Sequence, residues 1–179
     1  MRYEGGMKIV VLGAAGQLGR ELCRVLPGEV IGMTRADADQ TDTIALGRAL
    51  NAARPRVVVN AAGWTQVDAA ENEPGKAFAV NALAVRDLAV ICRDLDAMVI
   101  HLSSDYVFGL DATRDAPYDE DDPPGPLNVY GTSKLAGENF LRAMWPKHFI
   151  IRTCGLYGDG GANFVEAMLK KIEVGTPPR

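Results

Sequence analysis

The sequence is poor in cysteine and histidine, with three cysteines and two histidines among 179 residues. The cysteines, Cys23, Cys92 and Cys154, are odd in number, far apart and set in apolar patterns. We therefore expect small, buried, reduced thiols rather than a disulfide framework or a metal cluster. The histidines, His101 and His148, have too few neighbouring ligands to predict a metal site.

Long apolar runs and an excess of basic charge are also missing. No stretch of 18 apolar residues occurs and the start shows no signal-peptide pattern, so we expect a cytoplasmic protein without a membrane span. Nineteen basic and 23 acidic residues leave a formal charge of −4. This balance argues against a nucleic-acid partner and against a polybasic membrane anchor. With 47% apolar residues, a folded core is expected.

The chain alternates between two kinds of hydrophobic pattern. After a short extension at residues 1–6, residues 7–179 have the length of one domain. Short apolar runs typical of buried strands occur at about 8–12, 30–33, 56–60, 97–102 and 148–152. Helical spacing occurs between and after them, at about 18–26, 44–50, 75–94, 128–144 and 163–174. This order predicts an α/β fold with a doubly wound parallel sheet, of the Rossmann dinucleotide-binding type.

A glycine-rich turn follows the first strand and opens the first helix. Gly13, Gly16 and Gly19 have the spacing G-x-x-G-x-x-G, which differs from the commoner G-x-G-x-x-G. In this position glycines allow a tight turn, close approach of a pyrophosphate and close packing of the helix. The context predicts a dinucleotide site here.

The end of the second strand bears on the choice of cofactor. An acidic residue normally stands there when the ribose 2′-hydroxyl is bound, whereas this chain has Thr34 and Arg35. Arg35 could meet a 2′-phosphate, which favours NADPH. Asp37 and Asp39 lie just beyond, so NADH stays an alternative.

Three polar residues suggest proton-transfer chemistry. Tyr130 and Lys134 are four residues apart on a predicted helix and share a face. Ser104 ends the fourth strand, at the same sheet edge as the glycine turn. A lysine ammonium beside a phenol is expected to lower the pKa of that phenol from about 10, which would let Tyr130 exchange a proton with a carbonyl oxygen.

Several blocks in order resemble the extended short-chain dehydrogenase/reductases, and more narrowly the dTDP-4-dehydrorhamnose reductase family. The resemblance runs from Met7 to about Gly175. It is carried by the glycine turn, Asn81 and residues 60–63, 67–71, 101–108, 126–131, 134–138 and 163–164.

This resemblance implies roles for individual residues. Tyr130 would be the catalytic acid, Lys134 its partner and a ribose ligand, and Ser104 with Asp105 would touch the substrate sugar. Dinucleotide-contacting positions would be Gly16, Gln17, Leu18, Asp39, Gln40, Gly63, Trp64 and Thr65, together with Tyr130 and Lys134, beside Gly13 and Arg35 from the turn and strand end. The implied partner is a dTDP-linked 4-keto-6-deoxy sugar, and the implied reaction yields dTDP-L-rhamnose at the expense of NADPH.

The chain departs from the family pattern in two respects. Residues 152–155 read Arg-Thr-Cys-Gly where the family commonly has Arg-Thr-Ser-Trp, and members run on by roughly a hundred residues. We therefore expect a domain truncated before most of the substrate lobe, with self-association through uncovered apolar surface, including a homodimer. Two alternatives stay open: a non-catalytic dinucleotide-binding regulatory module, and a reductase or epimerase for another nucleotide sugar.

Overall fold

Five parallel strands form one sheet in the computed structural model, which describes residues 7–111, 113–158 and 163–173. The extension expected at residues 1–6 lies outside the described residues. The strand order is β2-β1-β3-β4-β5. The strands are β1 Lys8–Leu12, β2 Glu29–Met33, β3 Val57–Asn60, β4 Met98–Ser104 and β5 His148–Thr153.

Helices connect the strands. They are α1 Gln17–Val25, α2 Thr43–Ala53, α3 Val67–Asn72, α4 Pro74–Phe78, α5 Ala84–Asp94, α6 Val129–Met144 and α7 Phe164–Glu173. A π-helical turn, Ala79–Leu83, joins α4 to α5, and a 3₁₀ turn, Asp105–Val107, follows β4. No helix in the described ranges combines the length and apolarity needed to cross a bilayer.

The single helix predicted at residues 75–94 proves to be three connected segments. Pro74 occupies the first turn of α4, where its missing N–H costs no helical hydrogen bond. The π-turn then adds a residue to the helical register before α5 begins. Helix α3 was not predicted, because six residues of weak apolar periodicity give little helical signal.

Apolar side chains cover both faces of the sheet. Val10 and Leu12 of β1 belong to a larger core that includes residues of α2, α5 and α6. Ile9 and Val11, on the opposite face, pack with Leu22 of α1 and its neighbours. Because side chains alternate along a strand, a run buried at four successive positions requires cover on both sides. The predicted doubly wound α/β sheet is confirmed.

The strand order places a crevice at one edge of the sheet. From β1 the chain moves to β2 on one side and then returns to β3 on the other. Loops leaving the carboxyl ends of β1 and β3 therefore diverge, and ligands of open α/β sheets bind at such a point. Gly13 follows β1 and Ala61 follows β3 at this crevice.

The cysteines only partly meet the expectation of burial. Cys92 is fully buried, which raises the pKa of its thiol to about 12. Cys23 is half-buried and Cys154 is exposed. The expectation was wrong for Cys154, because it follows β5 on a loop at the crevice rather than lying inside an element.

Candidate functional site

A cleft of about 730 Å³ opens at the carboxyl ends of the strands. All the residues expected from the sequence line this cleft, although their individual roles stay predictions. They are Gly13, Gly16, Gln17, Leu18, Arg35, Asp39, Gln40, Gly63, Trp64, Thr65, Ser104, Asp105, Tyr130 and Lys134. The sequence analysis assigned no cleft role to other lining residues, notably Val80, Tyr106 and Cys154. Tyr106 lies within a block of the family resemblance and Cys154 within a departure from the family pattern, whereas Val80 is an apolar residue in a helical stretch and gives no such signal.

The glycine turn exposes backbone at one end of the cleft. Gly13 has φ +78°, and a Cβ there would lie 2.8 Å from the backbone nitrogen of Ala62. A Cβ on Gly19 would lie 2.1 Å from the carbonyl oxygen of Gly13, so only glycine lets α1 pack on the turn. The N-cap residue of α1, Gly16, provides no side-chain hydrogen bond. The N–H groups of the first helical turn are thus free of a capping side chain and suit an anion.

Arg35 and Asp39 form an ion pair at the rim of the cleft. Arg35 Nε lies 2.9 Å from Asp39 Oδ2, and the Arg35 side chain is 85% exposed. Hydrogen bonds from Thr41, and secondarily Arg35, hold the pKa of Asp39 below its usual range. Asp37 accepts hydrogen bonds from the backbone and hydroxyl of Thr34. Asp37 and Asp39, the two carboxylates that kept NADH as an alternative cofactor, therefore accept hydrogen bonds from within their own loop. The Arg35 guanidinium, in contrast, is largely exposed to solvent at the rim of the cleft.

Gln40 contributes an unsatisfied acceptor to the cleft wall. Its Nε2 donates to the carbonyl oxygen of Val80 at 3.5 Å, a long bond. Its Oε1 is buried and has no hydrogen-bond partner among the described residues. A buried polar atom without a partner is costly, so this oxygen fits a ligand that brings its own donor, such as an amino-substituted base.

Asn81 holds the loop after β3 in place. Its Oδ1 accepts from the backbone N–H of Trp64 at 2.9 Å, and its Nδ2 donates to the Trp64 carbonyl at 3.1 Å. The same Nδ2 donates to Ser133 Oγ on α6 at 3.0 Å. The sequence marked Asn81 only as part of the family resemblance. Its bridging role depends on the π-turn, for which the sequence gives no local signal.

Helix α6 presents Tyr130 and Lys134 to the cleft. The helix begins after Asn128, whose side chain accepts from the N–H of Gly131 at 2.7 Å. Tyr130 is nine-tenths buried and packs edge-to-face on Tyr106, with ring centroids 5.6 Å apart. The Ser104 side chain lies close enough to the Tyr130 phenol to act on its pKa. The predicted set of Ser104, Tyr130 and Lys134 thus lies on one wall.

The expected effect of Lys134 on Tyr130 was wrong. Burial raises the pKa of Tyr130 above 10, electrostatic repulsion from Asp105 and from the phenol group of Tyr106 raises it further, and only Ser104 opposes them. Lys134 instead donates from Nζ to the Leu102 carbonyl at 2.6 Å, and burial lowers its own pKa to about 8. Tyr130 therefore keeps its proton at neutral pH, the form required of a proton donor.

Comparisons with known proteins agree with this geometry. The family model described as RmlD substrate binding domain matches residues 7–177. The dTDP-4-dehydrorhamnose reductase of Streptomyces griseus is 46% identical over 165 residues, which cover 90% of this chain and 54% of that protein. The dTDP-4-keto-6-deoxy-D-glucose reductase of Streptomyces niveus is 41% identical over 165 residues, with 90% and 57% covered.

A solved structure gives the same result. The dTDP-4-dehydrorhamnose reductase of Bacillus anthracis, in complex with NADP, superposes with a TM-score of 0.89 at 35% identity, over 94% of this chain and 60% of that chain. The chain thus spans little more than half the length of the curated relatives it matches. The family model covers nearly all of it, and the resemblance noted in the sequence is confirmed: the chain belongs to the dTDP-4-dehydrorhamnose reductase family, described as the RmlD substrate binding domain.

Proposed function

We propose that this chain provides the cofactor-binding and proton-donating part of an NADPH-dependent reductase. Its substrate would be dTDP-4-dehydro-L-rhamnose, whose 4-keto group is reduced to give dTDP-L-rhamnose. The observation that carries this proposal is the shared cleft, which joins a glycine turn at a helix N-terminus to Ser104, Tyr130 and Lys134. The names of the relatives in Streptomyces griseus and Bacillus anthracis support the choice of substrate.

The residues of the cleft fit a dinucleotide. The turn from Gly13 to Leu18 would bind the pyrophosphate, and Arg35 at the rim would meet a 2′-phosphate. The free acceptor of Gln40, beside Asp39, would receive an adenine amino group. The Bacillus anthracis relative is described in complex with NADP, which favours NADPH over NADH. When bound, the cofactor supplies a hydride to the keto carbon.

The side chains of this chain would handle the proton. Tyr130 donates its phenolic proton to the keto oxygen, which becomes the sugar hydroxyl, while Ser104 hydrogen-bonds the same oxygen. Burial makes the resulting phenolate costly, so a nearby positive charge is needed at that moment. Lys134, one helical turn away, would provide it once its ammonium turns from the Leu102 carbonyl to the cofactor ribose, which it would also bind. Asp105 lies beside Ser104 for contact with the sugar.

The first experiment is titration of the 179-residue chain with NADPH and NADH, followed by fluorescence. We expect micromolar binding with NADPH preferred, and then oxidation of NADPH when the keto-sugar is added. A Tyr130→Phe chain should still bind NADPH, with an affinity reduced by the loss of one hydroxyl contact, and should lose turnover. A Tyr130→Phe chain as fast as wild type would contradict the catalytic assignment, and failure to bind either cofactor would refute the cofactor site.

A second candidate is reduction of a different dTDP-linked keto-sugar. The observation that favours it is the cleft wall at Cys154 and Gly155, where the family commonly has Ser-Trp. The relative in Streptomyces niveus is named a dTDP-4-keto-6-deoxy-D-glucose reductase. Parallel assays with the two keto-sugars separate the candidates. Tight NADPH binding without turnover of either would instead favour a non-catalytic dinucleotide-binding module.

A further inference from the structure

A fully buried carboxylate lies behind the cleft on α6. Glu138 has no exposed surface. Ser103 Oγ of β4 donates to its Oε1 at 2.6 Å. Arg152 of β5 donates from Nε at 3.0 Å and from Nη2 at 2.7 Å, and Arg142 Nη1 lies 2.9 Å from Oε2. This group, which we call the Glu138 cluster, joins one helix to the two strands that border the cleft.

Stability alone does not explain such a cluster. Removing a carboxylate from water is costly, and well-packed apolar residues of similar volume often stabilise a core as well or better. Burial alone would raise the pKa of Glu138, but the hydrogen bonds and charges of Arg152, Ser103 and Arg142 lower it instead. Glu138 is therefore a permanent negative charge at neutral pH, in a place where a neutral residue would cost less.

The members of the cluster adjoin cleft residues. Ser103 directly precedes Ser104, and Arg152 directly precedes Thr153, which lines the cleft. Lys134 lies one helical turn before Glu138 and is only 4% exposed. Burial lowers the pKa of Lys134 to about 8, and the negative charge of Glu138 opposes that fall.

We propose that Glu138 is a positioning residue of the cleft, whose buried charge holds the ends of β4 and β5 against α6 and keeps Lys134 protonated. The part concerning cofactor and turnover rests on the function proposed above. The part concerning the charge of Lys134 does not, since it follows from the folded chain itself.

The groups that surround Lys134 allow its titration to be isolated. On α6 these are Tyr130 and Glu138; Arg152 reaches Glu138 from β5. On β4, burial, and then the charge of Lys134, hold the pKa of His101 well below 6.5, so that imidazole stays neutral. Gly63 after β3 and Asn81 in the π-turn also lie nearby and carry no titratable group. Tyr130 stays neutral because its pKa is raised.

The test is a lysine NMR titration of the full chain, with the Lys134 ¹³Cε signal assigned by Lys134→Met. We expect a midpoint near pH 8 in the wild type and a fall of about one pH unit in Glu138→Gln. Glu138→Asp, which restores the charge, should return the midpoint toward the wild-type value. Arg142→Ala is the matched control, because it removes an exposed partner and leaves Ser103 and Arg152 on the carboxylate.

Cofactor binding gives a second readout of the same proposal. The affinity for NADPH should fall in Glu138→Gln about four-fold more at pH 8 than at pH 6.5, since at pH 8 most Lys134 side chains of the variant are neutral and at pH 6.5 most are still protonated. A parallel loss at every pH, with an unmoved Lys134 midpoint, would overturn the proposal and leave Glu138 a packing residue.

The outcomes keep the two proposals apart. A shifted Lys134 midpoint without any NADPH binding would support the role of Glu138 and refute the cofactor site. If Glu138→Gln fails to fold, Glu138→Met replaces it, because an apolar residue of similar volume removes the same charge. A Lys134 midpoint below the wild-type value then supports the proposal, and an unchanged midpoint overturns it.

Discussion

The side chain of Asn81 pairs with the backbone of Trp64 as a neighbouring strand would, accepting from its N–H at 2.9 Å and donating to its carbonyl at 3.1 Å. A third bond to Ser133 ties the same amide to α6. The loop Gly63–Thr65 is thereby held between the sheet and the helix that carries Tyr130 and Lys134. Rigid placement of cleft backbone in this way favours ligand binding, since less motion is lost on association.

Replacing Asn81 by alanine should weaken both stability and cofactor binding. The change leaves the Trp64 N–H and carbonyl and the Ser133 hydroxyl without their partner, so we expect a loss of about 2–4 kcal/mol in the free energy of unfolding. Chemical denaturation measures it, and an NADPH titration should show weaker binding. Asn51→Ala is the control: Asn51 makes one exposed bond to Gly47, and its replacement should change stability by at most about 0.5 kcal/mol. Equal effects of the two changes would contradict the bridging role.

Replacement by alanine should change stability in opposite directions at Gly13 and Gly75. At Gly13 the backbone has φ +78° and a Cβ meets Ala62, so Gly13→Ala should cost about 1–3 kcal/mol and abolish NADPH binding. At Gly75, inside α4, a Cβ meets nothing within 4 Å, so Gly75→Ala should stabilise by about 0.5–1 kcal/mol. Thermal unfolding curves with and without NADPH measure both. Unimpaired NADPH binding by Gly13→Ala would argue against a pyrophosphate at the turn.

Arg35 should decide the preference between the two cofactors. If its guanidinium binds the 2′-phosphate, Arg35→Ala removes a charge-assisted contact of about 1.5–3 kcal/mol, which corresponds to a ten- to hundred-fold weaker affinity for NADPH. The affinity for NADH, which lacks that phosphate, should not change. Arg93→Ala, at a comparable exposed pair with Asp94, should alter neither. An equal loss of affinity for both cofactors would indicate that Arg35 stabilises its own loop and does not bind the 2′-phosphate.

The buried ammonium of Lys134 should lower the free energy of unfolding of the chain. Its pKa falls from 10.5 in the unfolded chain to about 8 on burial, so the folded state binds its proton less readily. Below about pH 8 this penalty is fully present, up to about 3 kcal/mol, and stability rises as pH increases from about 8 to 10.5.

The matching variant is Lys134→Met, which should be more stable than wild type at pH 7 by about 1–3 kcal/mol, since loss of the bond to Leu102 offsets part of the gain. The difference should shrink above pH 10, and turnover should be lost. Denaturation at pH 7 and at pH 10 measures it. A variant that is less stable than wild type at pH 7 would contradict this account.

The edge strand β5 should promote self-association. Phe149 and Ile151 are 60% and 46% exposed on β5, which has one hydrogen-bonded neighbour, β4, among the described residues. We expect concentration-dependent association by sedimentation, and a reduced association in Phe149→Lys. Ile44→Lys changes an isolated exposed apolar residue on α2 and should have no such effect. Association that persists unchanged in Phe149→Lys would place the contact elsewhere.

Much of this molecule could be predicted from local patterns. The apolar runs of β1 and β4 and the glycines after β1 mark strands and a turn within a residue or two of their observed places, because burial on both faces requires unbroken apolar sequence. Cleft residues were found for the same reason: chemistry-bearing side chains that directly follow parallel strands meet at one edge of the sheet.

Other features could not be read from local pattern. Asn81 is one amide in a helical stretch, and only the π-turn aims it at Trp64. Tyr130 and Lys134 share a helix face as predicted, but the ammonium turns to the Leu102 carbonyl and does not lower the phenol pKa. The rotamer of Lys134 depends on β4, which is far from it in sequence.

By itself, then, the sequence determined the alternation of strands with the longer helices, the glycine turn after β1 and many of the polar side chains at the cleft, since each depends on spacing along a few residues. Only the tertiary structure decided their electrostatics. Glu138, which the sequence marked only as the end of one block of the family resemblance, acquires its role because β4 and β5 bring Ser103 and Arg152 to its carboxylate and exclude water around Lys134. Burial and the proximity of residues distant in the chain set a pKa, and neither exists before the chain folds.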